Sequence, residues 1–238
     1  MATTQRWFYD EMKHAGVDYA DPAQAQVYDE RHEKFRDYRR TSEAILKRLG
    51  LGAEHTVIDI GAGTGAFTVL AAIHCKRVYA VGVSPAMLDC ARIKAKQLGL
   101  TNILFCPGGF LTYVHAAEPA DAIVSIAALH HLPDFWKQIG LKRAAGMIKP
   151  GGQLYLFDVV FPSDTDDYAA CFDEWIGSMA QKVGREFAIE AETHIRDEFS
   201  TFDWIMQGLL ERAGFRIDQA EYENGFGASF LCTRRGAP

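Results

Sequence analysis

At residues 56 to 67 the chain reads Thr56-Val57-Ile58-Asp59-Ile60-Gly61-Ala62-Gly63-Thr64-Gly65-Ala66-Phe67. The apolar run predicts a buried strand, the closely spaced glycines predict a tight turn, and the residues that follow predict the start of a helix. Glycines lack the Cβ atoms that keep a ligand away from the backbone, and the first N–H groups of a helix have no partner within it. The stretch therefore predicts a cofactor site built around a nucleoside.

The same turn also fits the loose pattern G-x-G-x-x-G/A of dinucleotide-binding folds, through Gly61, Gly63 and Ala66. In those folds an acidic residue at the end of the second strand binds the ribose. Here the second strand, residues 77–82, ends in glycine. Asp59 would repel a diphosphate, whereas it suits the ammonium group of a ligand. A zwitterionic nucleoside is favoured over NAD, and an NAD-dependent oxidoreductase is kept as an alternative.

Strand-like and helix-like segments alternate along the chain, which predicts an α/β fold with a largely parallel sheet covered on both faces. The strand candidates are apolar runs at residues 55–60, 77–82, 102–106, 121–127 and 153–160. Ser84 and Pro85 mark a helix start. Ser200 and Asp203 have the spacing of a capping box, and Gly214 is placed to end that last long helix in the left-handed conformation.

Four motifs in register with these elements make the chain resemble the class I S-adenosylmethionine-dependent methyltransferases. The first is an acidic residue followed by G-x-G-x-G, matched by Asp59 and glycines 61, 63 and 65. The others are Val83–Leu88, Ala128–Leu132 and Ile148–Gly152. Strand-like runs at 215–222 and 226–233 match the family's ending. The resemblance implies a Rossmann-like, doubly wound, seven-stranded sheet with mostly parallel strands and a C-terminal antiparallel hairpin strand.

The resemblance also implies the reaction and its cofactor. The chain is expected to move a methyl group from S-adenosylmethionine to a small-molecule acceptor by in-line displacement, with S-adenosylhomocysteine as the product. The sequence names neither the acceptor nor the atom attacked. The implied cofactor-binding residues are Asp59, Gly61, Ala62, Gly63, Gly65, Gly82, Val83, Ser84, Met87, Gly109, Phe110, Ala127 and Tyr28.

Two carboxylates of the family pattern are missing. Gly82 stands where most members grip the ribose hydroxyls, and Gly109 stands where an Asp usually meets the adenine amino group. The backbone and Phe110 are expected to hold the adenine instead, and Gly82→Asp is expected to tighten cofactor binding. Because of these departures, a cofactor-binding protein without turnover is kept as a second alternative.

Direct methyl transfer needs alignment of donor and acceptor, and it needs a general base only when the nucleophile must lose a proton. The candidate bases are His130, His131, His194 and Asp158. For the two adjacent histidines a structural or cofactor-positioning role is favoured over proton abstraction. No metal is expected, because neighbours in sequence rarely converge on one ion and no carboxylate or cysteine cluster accompanies them.

Four parts of one globular domain are expected: an N-terminal helical cap (1–50), the cofactor-binding core (51–160), a helical lid (161–199), and a final helix with a β-hairpin (200–238). The cap helix is expected to follow Asp21-Pro22, and Tyr28 to close over the cofactor. The lid's apolar positions at 168, 172, 175, 176, 179 and 183 predict an amphipathic helix. Residues 194–198 are expected either to orient a polar substrate or to form a surface loop with weak ion pairs.

Composition is consistent with a small-molecule enzyme. The 238 residues are 48% hydrophobic, enough for one sizeable core, and the net charge of -6 argues against a broad nucleic-acid-binding face. The five cysteines are scattered, which indicates neither a disulfide framework nor a zinc site. We expect a cytoplasmic monomer or homodimer without a membrane segment or a signal peptide.

Overall fold

The computed structural model describes residues 5–13, 16, 25, 28–29, 37–161, 166–223 and 226–236. Within these residues the helices are α1 Tyr38–Arg48, α2 Ala66–His74, α3 Pro85–Gln97, α4 Asp134–Met147, α5 Tyr168–Lys182, α6 Arg185–Asp197 and α7 Asp203–Arg212. The strands are β1 Thr56–Ile60, β2 Arg77–Gly82, β3 Ile103–Pro107, β4 Ala120–Ile126, β5 Ile148–Phe161, β6 Thr201–Phe202, β7 Phe215–Glu223 and β8 Gly227–Arg234. A 3-10 turn spans Leu129–His131.

One sheet runs through the molecule in the order β3-β2-β1-β4-β5-β8-β7, with the short β6 beside β5. The strands pair in parallel, except that β8 is antiparallel to both β5 and β7. The predicted α/β class, the doubly wound order and the C-terminal antiparallel strand are therefore confirmed. Strand order reverses between β1 and β4, and ligands bind outside the carboxyl ends of strands at such a switch point.

The central strands are buried on both faces, as their continuous apolar sequences predicted. Ile58 and Ile60 belong to one hydrophobic core, whereas Val57 and Val124 belong to a second core. Alternation of neighbouring residues between two cores is what a sheet covered on both sides requires. The sheet thus fixes the positions from which the loops at its carboxyl edge depart.

The helix of the N-terminal cap is described only in part. Residues 21–24, where the helix was predicted to begin, lie outside the described residues. The described helix α1 begins after Asp37, whose side chain accepts a hydrogen bond from the Arg40 N–H. Its buried side chains are Ser42, Ile45 and Leu46. This helix packs beside α2.

Three details of the later elements differ from expectation. Residues 194–197 belong to helix α6, so the prediction of a surface loop was wrong. Phe202 precedes α7 and its side chain does not cap the helix, so the capping box was also wrong; the Ser200 hydroxyl pairs with His194 instead. Gly214 follows α7 with a φ of 100°, which confirms the predicted left-handed end.

A helix occupies the region predicted as a lid, although it is less buried than its apolar stripe suggested. Helix α5 has no buried residue among those described. Its aromatic side chains pack on the turn of the β-hairpin and on the end of β5. The Trp175 ring stacks on Phe226 with centroids 4.6 Å apart, and the Phe172 ring lies 5.3 Å from that of Phe161. Within the described part of the chain, no helix has the length and apolar character of a membrane span.

Replacing Gly61 by Ala is expected to destabilise the fold by at least about 2 kcal/mol. Gly61 has a φ of 84°, and an added Cβ would overlap the Ala128 Cβ. The matched control is Gly146→Ala in α4, because no atom lies within 4 Å of its added Cβ. That control should be neutral or stabilising, since alanine favours helix over glycine. Urea unfolding of both variants measures the difference, and equal midpoints would contradict the packing argument.

Candidate functional site

Two neighbouring cavities open at the carboxyl ends of β1, β2 and β4. The helix-side cavity lies against α1 and is lined there by Asp37, Tyr38, Thr41, Ser42 and Ile45. The loop-side cavity is lined by the loops that follow β2, β3 and β4. The two share a wall formed by Tyr28, Gly61, Gly63 and Ile126. An elongated ligand can therefore reach from one cavity into the other past the glycine turn.

The three glycines of the turn serve different purposes. The N–H groups of Gly61 and Ala62 both donate to the Val81 carbonyl at 2.9 Å, which ties the turn to the end of β2. Gly63 faces the cavities, since an added Cβ would meet nothing closer than 3.9 Å. Gly65 instead packs on α3, because its added Cβ would lie 2.7 Å from the Ala91 Cβ. Gly65 is the one predicted cofactor-binding residue that lines neither described cavity.

Asp59 lies in the wall of the helix-side cavity and is only 2% exposed. The Thr68 hydroxyl donates to its Oδ2 at 2.5 Å. Burial raises the pKa of Asp59 to about 7, and the hydrogen bond from Thr68 offsets only part of that effect. No ion pair to Asp59 is formed among the described residues. A positively charged ligand group at this carboxylate would supply the missing charge.

The loop-side cavity contains most of the remaining predicted residues. Gly82, Val83, Ser84 and Met87 line it from the end of β2 and the start of α3. The Ser84 hydroxyl accepts the Met87 N–H at 3.2 Å, which confirms Ser84 as the helix cap. An added Cβ at Gly82 would lie 3.0 Å from Leu88 Cδ2. The expected gain from Gly82→Asp therefore requires Leu88 to move.

Backbone strain is present in the wall of the same cavity. Ala127 has a φ of 52°, and it is the one non-glycine residue with positive φ in the described part of the chain. Its N–H donates to the Phe157 carbonyl at 2.8 Å, which holds the loop after β4 against β5. Left-handed non-glycine residues persist where the surroundings fix them, and they are frequent at ligand sites.

The described fragment of the N-terminal cap lies over the glycine turn. Tyr28 lines both cavities, which is the position that its predicted role over the cofactor requires. Asp29 accepts a hydrogen bond from the Thr64 hydroxyl at 2.5 Å and also pairs with Lys94. The cap is thus attached to both the turn and α3. Asp29 was not identified from the sequence.

Three of the four candidate bases belong to one buried network rather than to the cavities. His130 Nδ1 lies 2.5 Å from Asp158 Oδ1, and His130 Nε2 lies 3.4 Å from Glu198 Oε2. Glu198 also pairs with His194 Nδ1, and His194 Nε2 lies 2.6 Å from the Ser200 hydroxyl. The network joins β5, the 3-10 turn and α6. The contact between Glu198 and His130 was not predicted from the sequence.

Charge pairing governs protonation within this network. Burial alone would lower the pKa of His130, but the Asp158 and Glu198 carboxylates outweigh it and the net effect is a raised pKa. Burial likewise opposes the charge of both carboxylates, yet their pKa values are lowered because the histidines stabilise the ionised forms. Asp158 and His130 therefore form an ion pair that holds the 3-10 turn against β5.

His131 is the candidate base that lines the loop-side cavity. Burial lowers the pKa of His131 to about 3, and the positive charge of His130 adds to the shift. The imidazole is therefore neutral at physiological pH. The ring centroids of the two histidines are 4.3 Å apart.

The expectation that no carboxylate accompanies His130 and His131 was wrong. His130 and His131 do converge with a carboxylate, because Glu198 places a ligand atom within 4.8 Å of theirs. The contacts of His130 with Asp158 and Glu198 are accounted for by ion pairing. The absence of a metal stays a prediction.

Comparison with known proteins agrees with this geometry. Residues 57–152 match the family described as methyltransferase domain. An uncharacterized methyltransferase of Geobacillus kaustophilus is 28% identical over 194 residues, which cover 82% of this chain and 84% of that protein. A solved S-adenosylmethionine-dependent methyltransferase of Clostridium acetobutylicum aligns with a TM-score of 0.67 at 13% identity, over 90% of this chain and 98% of that one.

A second solved structure shows the same fold with a bound product. Magnesium protoporphyrin IX methyltransferase of Synechocystis, solved with S-adenosylhomocysteine, aligns with a TM-score of 0.62 at 16% identity, over 94% of this chain and 91% of that one. Residues 57–152 thus form a methyltransferase domain, and the fold is shared with solved S-adenosylmethionine-dependent methyltransferases. The matched domain and the relatives' names identify the chain as a methyltransferase.

Asp59→Asn is expected to stabilise the ligand-free protein at pH 8 and to have little effect near pH 4. The folded state holds a proton on Asp59 up to about pH 7, whereas an unfolded chain releases it near 3.8. The unfolding free energy of the wild type therefore falls as pH rises between these values. Each pKa unit is worth about 1.4 kcal/mol, so the melting temperatures should separate by several degrees.

Thermal unfolding at pH 4, 6 and 8 measures this separation. Asp89→Asn is the control, since Asp89 is an exposed carboxylate on α3 paired with Arg92. Its melting curve should follow that of the wild type at every pH. Parallel curves for Asp59→Asn and the wild type would contradict the buried-carboxylate argument.

Proposed function

We propose that the enzyme methylates a small-molecule acceptor, and that its cofactor is S-adenosylmethionine, which spans both cavities. The carrying observation is the continuous wall from Asp59 through the glycine turn to the loops after β2 and β3. The donor set fits the cofactor, because the buried Asp59 carboxylate suits the ammonium group and the open face of Gly63 admits close approach. The adenine then lies toward Gly109 and Phe110.

The chain's own residues supply positioning and exclusion of water. When bound, S-adenosylmethionine supplies an electrophilic methyl group, which leaves sulfur as its bond to a nucleophilic acceptor atom forms. Tyr28 covers the turn, and the Asp29 contact with Thr64 holds it there. Alignment of the two reactants can supply about 7–11 kcal/mol at its strongest. A covalent enzyme intermediate is not required.

Positioning is also the role we assign to the buried histidine network. His130, His194 and Asp158 do not line either described cavity, so they do not meet the geometric requirement for a general base. His131 does line the loop-side cavity, and its neutral imidazole can accept a hydrogen bond or a proton there. An acceptor that must lose a proton would find its base at His131.

The charge of the cavity walls supports a small acceptor over a nucleic acid. Lys13 is the single Lys or Arg among the described lining residues, and His131 is neutral. The described acidic lining residues are Glu11, Asp37, Asp59 and Glu223. A polyanion requires phosphate contacts from several Lys and Arg residues. The cytoplasmic location and the monomer or homodimer state remain predictions.

Native mass spectrometry of freshly purified protein tests the cofactor directly. We expect a bound species with the mass of S-adenosylhomocysteine, released on denaturation, because the product fits the same walls as the donor. Incubation with S-adenosylmethionine and fractionated metabolites should then yield S-adenosylhomocysteine only in fractions that contain the acceptor. A bound dinucleotide would contradict the proposal.

Asp59→Asn is expected to weaken S-adenosylhomocysteine binding by about ten- to a hundredfold, since a charge-assisted hydrogen bond is worth about 1.5–3 kcal/mol. Wild-type affinity should rise from pH 6 to pH 8, because the ammonium group binds the ionised form of Asp59, whose pKa is about 7. Calorimetry in two buffers of different ionisation enthalpy should detect proton release near pH 6. Asp89→Asn serves as the control. An unchanged affinity of Asp59→Asn for S-adenosylhomocysteine would contradict the assignment of Asp59 to the ligand's ammonium group.

A further inference from the structure

Residues 5–13, here called the N-terminal strap, cross from helix α4 into the loop-side cavity. Phe8 packs against Trp136 with ring centroids 4.9 Å apart, and Trp7 stacks on the same indole at 6.5 Å. The Tyr9 hydroxyl donates to the His131 carbonyl at 3.0 Å. These contacts fix the strap on the start of α4 and on the 3-10 turn. The next residues, including Glu11, then enter the wall of the cavity.

The Glu11 carboxylate is buried, with 9% of the residue exposed, and it is bound by the loop after β3. Its Oε1 accepts hydrogen bonds from the Thr112 N–H and hydroxyl, both at 2.6 Å. The Leu111 N–H lies 3.0 Å from each carboxylate oxygen. Oε1 is thus the oxygen that carries most of the bonds to the loop. Oε2 keeps acceptor capacity for a ligand.

Oε2 points to the place where a side chain of residue 109 would begin. An ideal Cβ built on Gly109 would lie 2.6 Å from Glu11 Oε2. Gly109 lines the same cavity, so a carboxylate is present at this position although the core sequence has none. Arg143 rigidifies the loop by donating to the Phe110 and Tyr113 carbonyls at 3.1 and 2.8 Å.

We propose that Glu11 is a cofactor-binding residue, and that its Oε2 accepts a hydrogen bond from the exocyclic amino group of the adenine. This inference rests on the proposed placement of the cofactor across the two cavities. The amino group is a donor, so it needs an acceptor with an available lone pair, and Oε2 is a buried carboxylate oxygen that supplies one. Lys13, the neighbouring charged residue of the strap in this wall, has no acceptor to offer.

The position of Glu11 in the strap couples adenine binding to docking of the strap. Glu11 belongs to the strap and not to the sheet, so binding of an adenine that contacts Oε2 stabilises the docked strap. By linkage, a docked strap increases the affinity for adenine to the same degree. Recognition of the base and closure of the cavity are therefore coupled in this chain.

The decisive experiment compares two ligands that differ at one group. S-adenosylhomocysteine presents an amino donor on the purine, whereas S-inosylhomocysteine presents a carbonyl acceptor in its place. Calorimetry with the full-length wild type should show preference for the adenosyl ligand. Glu11→Ala should weaken adenosyl binding by about ten- to a hundredfold and inosyl binding much less. Glu54→Ala, at an exposed turn, is the matched control and should retain the wild-type preference.

Glu11→Gln gives a readout that a merely structural role would not change. The amide oxygen can still accept the bonds from Thr112, which leaves the NH₂ group directed at Gly109. The variant should therefore reverse the preference and bind the inosyl ligand more tightly than the adenosyl one. Equal weakening of both ligands in Glu11→Ala, or an unchanged preference in Glu11→Gln, would overturn the inference. Failure of the wild type to bind either ligand would instead refute the proposed cofactor placement.

Discussion

The close approach of Gly61 to Ala128 is the constraint on which the site depends. A side chain at position 61 would overlap Ala128, and the turn is bound from its other side by the Val81 carbonyl. The turn after β1 is therefore held against the end of β2 by hydrogen bonds and against the loop after β4 by close contact with Ala128. Because these strands flank the switch point of the sheet, that contact fixes where both cavities lie. The loops after β2 and β4, which carry Ser84 and His131, are positioned by the same contact.

Two buried carboxylates near this point have pKa values shifted in opposite directions. The difference distinguishes a carboxylate that stabilises the fold from one that is placed to bind a ligand. Asp158 is paired with His130 and accepts the Val159 N–H at 2.8 Å, so its pKa is lowered. Asp59 receives a hydrogen bond from Thr68, and burial raises its pKa. The charge of Asp158 is therefore balanced by His130 within the fold. Asp59 lies in a cavity wall, where a cationic group of a ligand can form the ion pair that the protein does not supply.

The features that the sequence predicted are those set by residues close together in the chain. The parallel strands follow from continuous apolar runs, the turn from Gly61 and Gly63, and the start of α3 from Ser84. Contacts between distant segments were not predictable in this way. Glu11 meets Leu111 across 100 positions, and no periodicity or spacing marks that pairing. Glu198 was singled out as polar, but its proximity to His130 depends on how α6 packs.

Local pattern also fails where two roles compete for one residue. Gly65 satisfies the glycine motif, yet its lack of a Cβ serves contact with Ala91 rather than with a cavity. Ser200 has the spacing of a helix cap, yet its hydroxyl pairs with His194, because the buried Glu198 orients that imidazole from its other nitrogen. In both cases a tertiary contact uses the group that the local rule had assigned elsewhere. The glycine turn and Asp59 are consequently predictable from local sequence, whereas Glu11 and Asp29 belong to the N-terminal segment that packs on the site.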